Sequence, residues 1–125
     1  MSRHLARVGA IALAMSLAAP VVAAPAAVER EGSCSGGPGH WNLRVRRESG
    51  DLFIRFNIVD VAAGQTWQVF ISDNGSRIFS GTRVSSSTGK VRVTTTTRDR
   101  AGSDRIAASG VNTKTGTTCE GSLRY

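Results

Sequence analysis

Hydrophobic residues occur along this chain in short segments that alternate with polar residues and end at glycine-containing turns. The turn signals recur at fairly even intervals: Ser49-Gly50, Ala63-Gly64, Asn74-Gly75, Thr88-Gly89, Ala101-Gly102 and Thr115-Gly116. The segments between them are rich in Val, Ile, Thr and aromatic residues, and this spacing is typical of an antiparallel sandwich or barrel. We predict a β-sandwich over 40–125 after an irregular Gly/Ser/Pro-rich lead-in over 27–39. Its seven strands would cover 40–48, 51–61, 65–73, 76–85, 89–98, 104–112 and 117–124.

A two-residue turn at Ser49-Gly50 predicts how the strands on either side of it pair. On one face the register places Trp41 opposite Ile58, Leu43 opposite Phe56 and Val45 opposite Ile54. On the other face it places Arg44 opposite Arg55 and Arg46 opposite Phe53. A slip of one residue would turn the arginines into the core, so this register is strongly constrained.

The dipeptide Asn74-Gly75 is the strongest hairpin signal in the chain, because a type I′ turn needs positive φ at both central residues. The register that follows from it pairs Asp73 with Ser76, Ile71 with Ile78, Val69 with Ser80 and Trp67 with Thr82 on the core face. On the outer face it pairs Phe70 with Phe79, Ser72 with Arg77 and Thr66 with Arg83. Both tryptophans, Trp41 and Trp67, fall on apolar faces, so we expect them in the core and not as sugar-stacking platforms.

Residues 1–26 have the order of a secretory signal peptide. Basic residues precede an apolar run over 10–19, which is too short to span a bilayer, and small residues follow it. Cleavage is predicted after Ala26 or after Ala23. The chain carries a formal net charge of +7, and loss of Arg3 and Arg7 with the signal leaves +5. This charge suits anionic extracellular partners such as wall polymers, or it serves solubility alone. Nucleic acid is not expected as a partner, because no binding motif is present.

Two cysteines follow the signal, Cys34 and Cys119. Outside the cytoplasm an isolated pair most often forms a disulfide, which here would close almost the whole domain into one loop. The alternative is a lipid anchor on Cys34. The residues before it lack the apolar lipobox, so we expect the disulfide and no acyl group.

Four stretches of sequence carry a family resemblance: residues 64–67 (GQTW), 74–75 (NG), 101–108 (AGSDRIAA) and 115–119 (TGTTC). In this order they resemble a set of small secreted actinobacterial proteins of unassigned function, and also bacterial immunoglobulin-like domains. The resemblance extends over about residues 34 to 125, and implies an immunoglobulin-like fold and export but no activity. The cysteines depart from the antibody pattern, in which the disulfide joins the second and sixth strands across the core.

Residues suited to catalysis or metal binding are sparse. His40 is the only histidine after the signal and no Gly-x-Ser-x-Gly motif occurs, so a histidine-based triad is not expected. Calcium would need several clustered carboxylates. The acids considered for such a site, Asp60, Asp73, Asp99 and Asp104, are separated in the sequence. Asp104 is expected to accept backbone hydrogen bonds at a strand entry. We predict no enzyme, no metal and no cofactor.

Outward-facing arginine and phenylalanine residues are the candidate binding residues. They are Arg44, Arg46, Phe53 and Arg55 on the first hairpin, and Phe70, Arg77, Phe79 and Arg83 on the second. If the hairpins belong to opposite sheets, these sets form two surfaces. The favoured function is a secreted, noncatalytic binding or structural module. The alternatives are a secreted enzyme inhibitor that uses an exposed loop, 85–88 or 113–116, and a carrier of a small apolar ligand.

Overall fold

The alternating segments fold into eight antiparallel strands that form two packed sheets. The structure, a computed structural model, describes residues 26–125. The strands are β1 (Ala27–Ser33), β2 (His40–Glu48), β3 (Asp51–Val59), β4 (Thr66–Asp73), β5 (Ser76–Val84), β6 (Val91–Arg98), β7 (Arg105–Asn112) and β8 (Thr118–Arg124). Within the described residues there is no α-helix. The predicted signal peptide lies outside them except for Ala26.

The strand order confirms an immunoglobulin-like β-sandwich. Sheet one has the order β1-β2-β3-β6 and sheet two has the order β5-β4-β7-β8. In immunoglobulin terms β2, β3 and β6 correspond to strands A, B and E, and β4, β7 and β8 correspond to C, F and G. In the same terms, β5 takes the place of C′ beside C, and β1 is an additional edge strand. Residues 26–125 form no strand that corresponds to D.

The segment 27–33 is a strand, so its prediction as part of an irregular lead-in is wrong. It pairs with β2 along its whole length. Val28 is its one large apolar residue and the charged residues 29–31 are exposed, so the alternation is too weak to mark a strand in the sequence. Charges are a common protection for an exposed sheet edge. The irregular stretch is confined to 34–39, and either predicted cleavage site leaves β1 whole.

The β2–β3 hairpin has the predicted register in every pair. Leu43 lies opposite Phe56 on the inner face, and Arg44 lies opposite Arg55 on the outer face. The turn residues Ser49 and Gly50 have φ angles of 49° and 86°, as a two-residue type I′ turn requires. The turn signal at Ser49-Gly50 was therefore sufficient to predict the pairing, because the alternation along both strands selects the same register.

The β4–β5 hairpin departs from the predicted register after two pairs. Asp73 lies opposite Ser76 as predicted, but an irregularity between Ile71 and Ser72 shifts the later pairs by one residue. Ile71 then lies opposite Phe79, and Phe70 lies opposite Ser80. The predicted cross-strand pair of Phe70 with Phe79 is therefore wrong. A bulge of this kind puts every following side chain of β5 on the other face.

The core consists of the inward residues of both sheets. Its fully buried members include Leu43, Val45, Leu52, Ile54, Phe56, Ile58, Trp67, Val69, Ile71, Val93 and Ile106. Trp67 is 1% exposed, which confirms its core position. Trp41 is half-buried and packs against the core at its edge. A Cβ atom at Gly121 would overlap the Trp41 ring, so the ring lies directly on the backbone of β8.

The predicted disulfide between Cys34 and Cys119 is present. It joins the segment after β1 to β8 across a sequence separation of 85 residues. Backbone hydrogen bonds between Ser35 and Thr118 lie beside it, from each N–H to the other carbonyl at 2.8 and 2.9 Å. The disulfide and these hydrogen bonds therefore join the first and last strands at a place where no continuous β-ladder connects the two sheets.

Removal of the disulfide is expected to destabilise the fold. The double variant Cys34→Ser/Cys119→Ser should lose about 2–5 kcal/mol of unfolding free energy, because the unfolded chain is no longer closed into a long loop. Urea unfolding followed by tryptophan fluorescence measures this loss. Ser87→Ala, an exposed loop substitution, serves as the control and should leave the unfolding midpoint unchanged. Equal midpoints for the cysteine variant and the oxidised parent would contradict the prediction.

Candidate functional site

The first set of predicted binding residues comes together on the outer face of sheet one. Arg44, Arg46, Phe53 and Arg55 line a surface depression of about 310 Å³, here named the arginine depression. Arg44 and Arg55 lie directly opposite each other on neighbouring strands, and Arg46 lies opposite Phe53. The Arg46 guanidinium lies 4.9 Å from the centre of the Phe53 ring, within the range of a cation–π contact.

The guanidinium groups of Arg44 and Arg55 have no acidic partner among the described residues. Other arginines of this sheet are engaged: Arg46 pairs with Glu48 at 3.1 Å, Arg47 with Asp99 at 2.6 Å, and Arg92 donates to Asn57 at 3.0 Å. Arg44 and Arg55 each have a buried Nε atom that makes no hydrogen bond.

An acid does lie next to Arg44 across the β1–β2 ladder. Glu29 is directly opposite it, but the Glu29 carboxylate accepts a hydrogen bond from Asn42 at 2.5 Å. No ion pair joins Glu29 to Arg44 within the described part of the chain. The two central arginines of the depression therefore present donors that no protein group occupies.

The bulge in β4–β5 divides the second predicted set between two faces. Phe70 and Arg77 lie on the outer face of sheet two, where the Arg77 guanidinium lies 3.9 Å from the centre of the Phe70 ring. Phe79 and Arg83 lie opposite the inward residues Ile71 and Trp67, with the Arg83 guanidinium 5.0 Å from the Phe79 ring. A single surface made of all four residues was therefore a wrong prediction. The separation of the two hairpins onto opposite sheets agrees with the expectation of two surfaces.

Phe70 and Arg77 belong to a shallow trough of about 550 Å³ on sheet two, here named the serine trough. Its floor consists of small residues, among them Ser72, Ala107, Ser109 and Ser122. Arg105 lines its edge and was missed in the sequence, although the alternation of β7 places it outward beside Ala107. The small residues of three adjacent strands were the signal that could have revealed this concave surface.

The three phenylalanines that were predicted to face outward are covered by arginines. Phe53, Phe70 and Phe79 are all half-buried. Among the described residues, the large hydrophobic residue that is exposed is Val84, with 63% of its surface accessible to solvent. Each ring has one guanidinium stacked on it. A contact surface made of bare aromatic rings is therefore not formed, and the arginine edges are the groups presented to solvent.

The two loops considered for an inhibitor differ in exposure. Ser85 is buried, and its hydroxyl donates to the Ala62 carbonyl at 2.6 Å, so the loop 85–88 is tied down at its start. Residues 113–116 are exposed. His40 is exposed as expected, and its Nδ1 lies 3.1 Å from Asp60.

Three of the four acids considered for calcium come together at one end of the sandwich. Asp104 is 1% exposed, and burial together with the nearby carboxylates of Asp73 and Asp99 raises its pKa to about 6. Backbone atoms form both hydrogen bonds between Asp104 and Tyr125, and the carboxylate atom Oδ2 of Asp104, which was expected to accept from the backbone, has no hydrogen-bond partner among the described residues. Within residues 26–125 no group of three or more His, Cys, Asp or Glu side chains is arranged to hold a metal ion.

No family model matches this chain, and no curated protein matches it. The described residues include no helix that is long and apolar enough to cross a membrane. The fold and the site geometry therefore carry the functional interpretation.

Burial of Asp104 makes stability depend on pH. Because the pKa is higher in the folded state, the protonated acid favours folding below about pH 4, and this contribution is lost as the pH rises through about 6. Asp104→Asn keeps the side chain neutral at every pH. The unfolding free energy of the variant minus that of the parent should therefore be higher at pH 8 than at pH 4, by up to about 2–3 kcal/mol. Thermal unfolding across this range measures the difference.

Asp51→Asn, at an exposed strand end, is the matched control and should not alter the pH profile in the same way. If the parent and Asp104→Asn lose stability in parallel between pH 4 and pH 8, the carboxylate does not titrate as described.

Proposed function

We propose that this chain is an exported, noncatalytic binding module that holds anionic groups of an extracellular or wall polymer in the arginine depression. The observation that carries this proposal is the pair Arg44 and Arg55, whose buried Nε atoms make no hydrogen bond. Guanidinium groups suit carboxylate, phosphate and sulfate, because their planar donors match two oxygens at once.

The arrangement is unfavourable without an anion and improves with one. Like charges directly opposite each other on neighbouring strands are destabilising. An anionic group placed between Arg44 and Arg55 would neutralise both charges and would accept hydrogen bonds from their guanidinium N–H groups.

Arg46, which is stacked on Phe53 and ion-paired with Glu48, adds a third, positioned guanidinium at the rim whose charge is shared with that carboxylate. Because the guanidinium is held against the ring at 4.9 Å, less side-chain entropy is lost when an anion binds. A shallow, exposed depression favours modest affinity for each anionic group. Repeated groups on one polymer would raise the overall affinity where the protein is displayed in several copies.

Export fits the same proposal. The disulfide between Cys34 and Cys119 is of the kind that persists in oxidising compartments. The predicted signal peptide would deliver the chain there, and an extracellular polymer is then an accessible partner.

The proposal predicts salt-sensitive retention on anionic polymers. The parent protein should be retained at low salt on immobilised polyphosphate, polygalacturonate or heparin, and not on neutral dextran. Arg44→Gln/Arg55→Gln should bind more weakly by about 1–2 kcal/mol, because two partly exposed charge-assisted contacts are lost. Elution along a salt gradient measures the change, and the three matrices distinguish phosphate, carboxylate and sulfate.

Arg100→Gln/Lys114→Gln removes the same number of charges from exposed loop positions and is the matched control. It should elute close to the parent protein. If both double variants elute together, retention reflects net charge alone and the arginine depression is not the site.

A further inference from the structure

A smaller cavity, separate from the arginine depression and the serine trough, lies at the end of the sandwich near the disulfide. It has a volume of about 140 Å³ and lies where the connections 34–39, 60–65 and 113–117 meet. Pro38, Val61 and Ala62 supply its apolar lining. A water molecule occupies about 30 Å³ in the liquid, so the cavity has room for about four or five groups of that size.

Three of the five residues that bring polar groups to this cavity are buried, whereas Gln65 is half-buried and Thr115 is exposed. Trp67 is 1% exposed, Asn112 is 2% exposed and Thr117 is 4% exposed, and all three line it. Buried polar groups of this kind normally have hydrogen-bond partners. The Nε1 atom of Trp67 has none.

The side-chain oxygen atoms around the cavity each make at least one hydrogen bond. Asn112 Oδ1 accepts from the backbone N–H of Lys114 at 2.9 Å and of Thr115 at 3.1 Å. Gln65 Oε1 accepts from Asn112 Nδ2 at 2.5 Å. The Thr117 hydroxyl donates to the Gly36 carbonyl at 3.2 Å.

The donors that remain are the Trp67 indole N–H, the Gln65 Nε2 amide and the second N–H of Asn112 Nδ2. The indole N–H can only donate, and Gln65 Nε2 makes no hydrogen bond among the described residues. A ligand for this cavity must therefore bring an acceptor oxygen, and it needs no positive charge. The apolar lining at Pro38, Val61 and Ala62 matches a short hydrocarbon portion next to that oxygen.

We propose that this cavity is a binding site for a small uncharged carbonyl or hydroxyl compound, whose oxygen accepts a hydrogen bond from Trp67 Nε1. The site is separate from the arginine depression, which lies on the outer face of sheet one. It therefore does not depend on the anionic-polymer proposal. Its size admits a compound such as acetone or a short alcohol, and affinity in the millimolar range is expected for so small a ligand.

Nuclear magnetic resonance of the two indole N–H groups tests the proposal directly. In ¹⁵N-labelled protein, acetone should shift the Trp67 indole signal saturably and leave the Trp41 signal unchanged. The variant Trp41→Phe assigns the two signals. Xenon is the probe that has no acceptor, and it should bind more weakly than acetone, because it leaves the indole N–H unpaired.

A matched pair of variants places the effect at the cavity. Ala62→Leu fills the lining and should weaken acetone binding roughly tenfold, the effect expected from one unfavourable contact. Ala63→Leu, at the exposed neighbouring position, should bind acetone like the parent. Three results would each overturn the proposal. They are stronger binding of xenon than of acetone, equal binding of acetone by the two variants, and indole shifts that do not saturate with acetone, as expected if the cavity holds water alone.

Discussion

The uninterrupted pairing of β2 with β3 is the constraint on which the rest of the sandwich depends. All nine residues of each strand are paired, and β3 also pairs with β6, so this hairpin forms the centre of sheet one. Its inner face supplies fully buried residues such as Leu43, Ile54 and Phe56. A shift of one residue would exchange these for arginines, and the loss of apolar burial together with the burial of charge makes that state inaccessible.

The same alternation determines the chemistry of the outer face. Because Leu43 and Phe56 must point inward, Arg44 and Arg55 must point outward and meet side by side. The core thus imposes a repulsive pair on the surface, and no carboxylate among residues 26–125 forms an ion pair with it. A protein that needed only solubility would gain by separating these charges, whereas an anion-binding surface uses their proximity.

Features governed by local alternation could be predicted from the sequence, and those that arise from contacts between distant segments could not. The β2–β3 register was predicted in full because two faces of opposite polarity select it. The bulge between Ile71 and Ser72 has no sequence signal, so Phe79 and Arg83 were assigned to the wrong face. The strand 27–33 was missed because its own sequence lacks a clear alternation of apolar and polar residues, and it becomes a strand by pairing with β2.

Groups that are brought together by packing between strands show the same limit. Asp73, Asp99 and Asp104 lie at the ends of different strands, and only the packing of the sheets brings them together. Arg105 was overlooked because the trough it borders is formed by small residues of several strands. The cysteine pairing could be predicted because only two cysteines are present.

The central claim is that Arg44 and Arg55 hold one anion between them. Side-chain ¹H–¹⁵N spectra of the arginine Nε–H groups, recorded while a soluble short polyphosphate is added, test it most directly. The Nε–H signals of Arg44 and Arg55 should shift together with a single midpoint, before those of the exposed Arg83 and Arg124 respond. Equal shifts at all of these arginines, or no shift at Arg44 and Arg55, would contradict an anion site in the arginine depression.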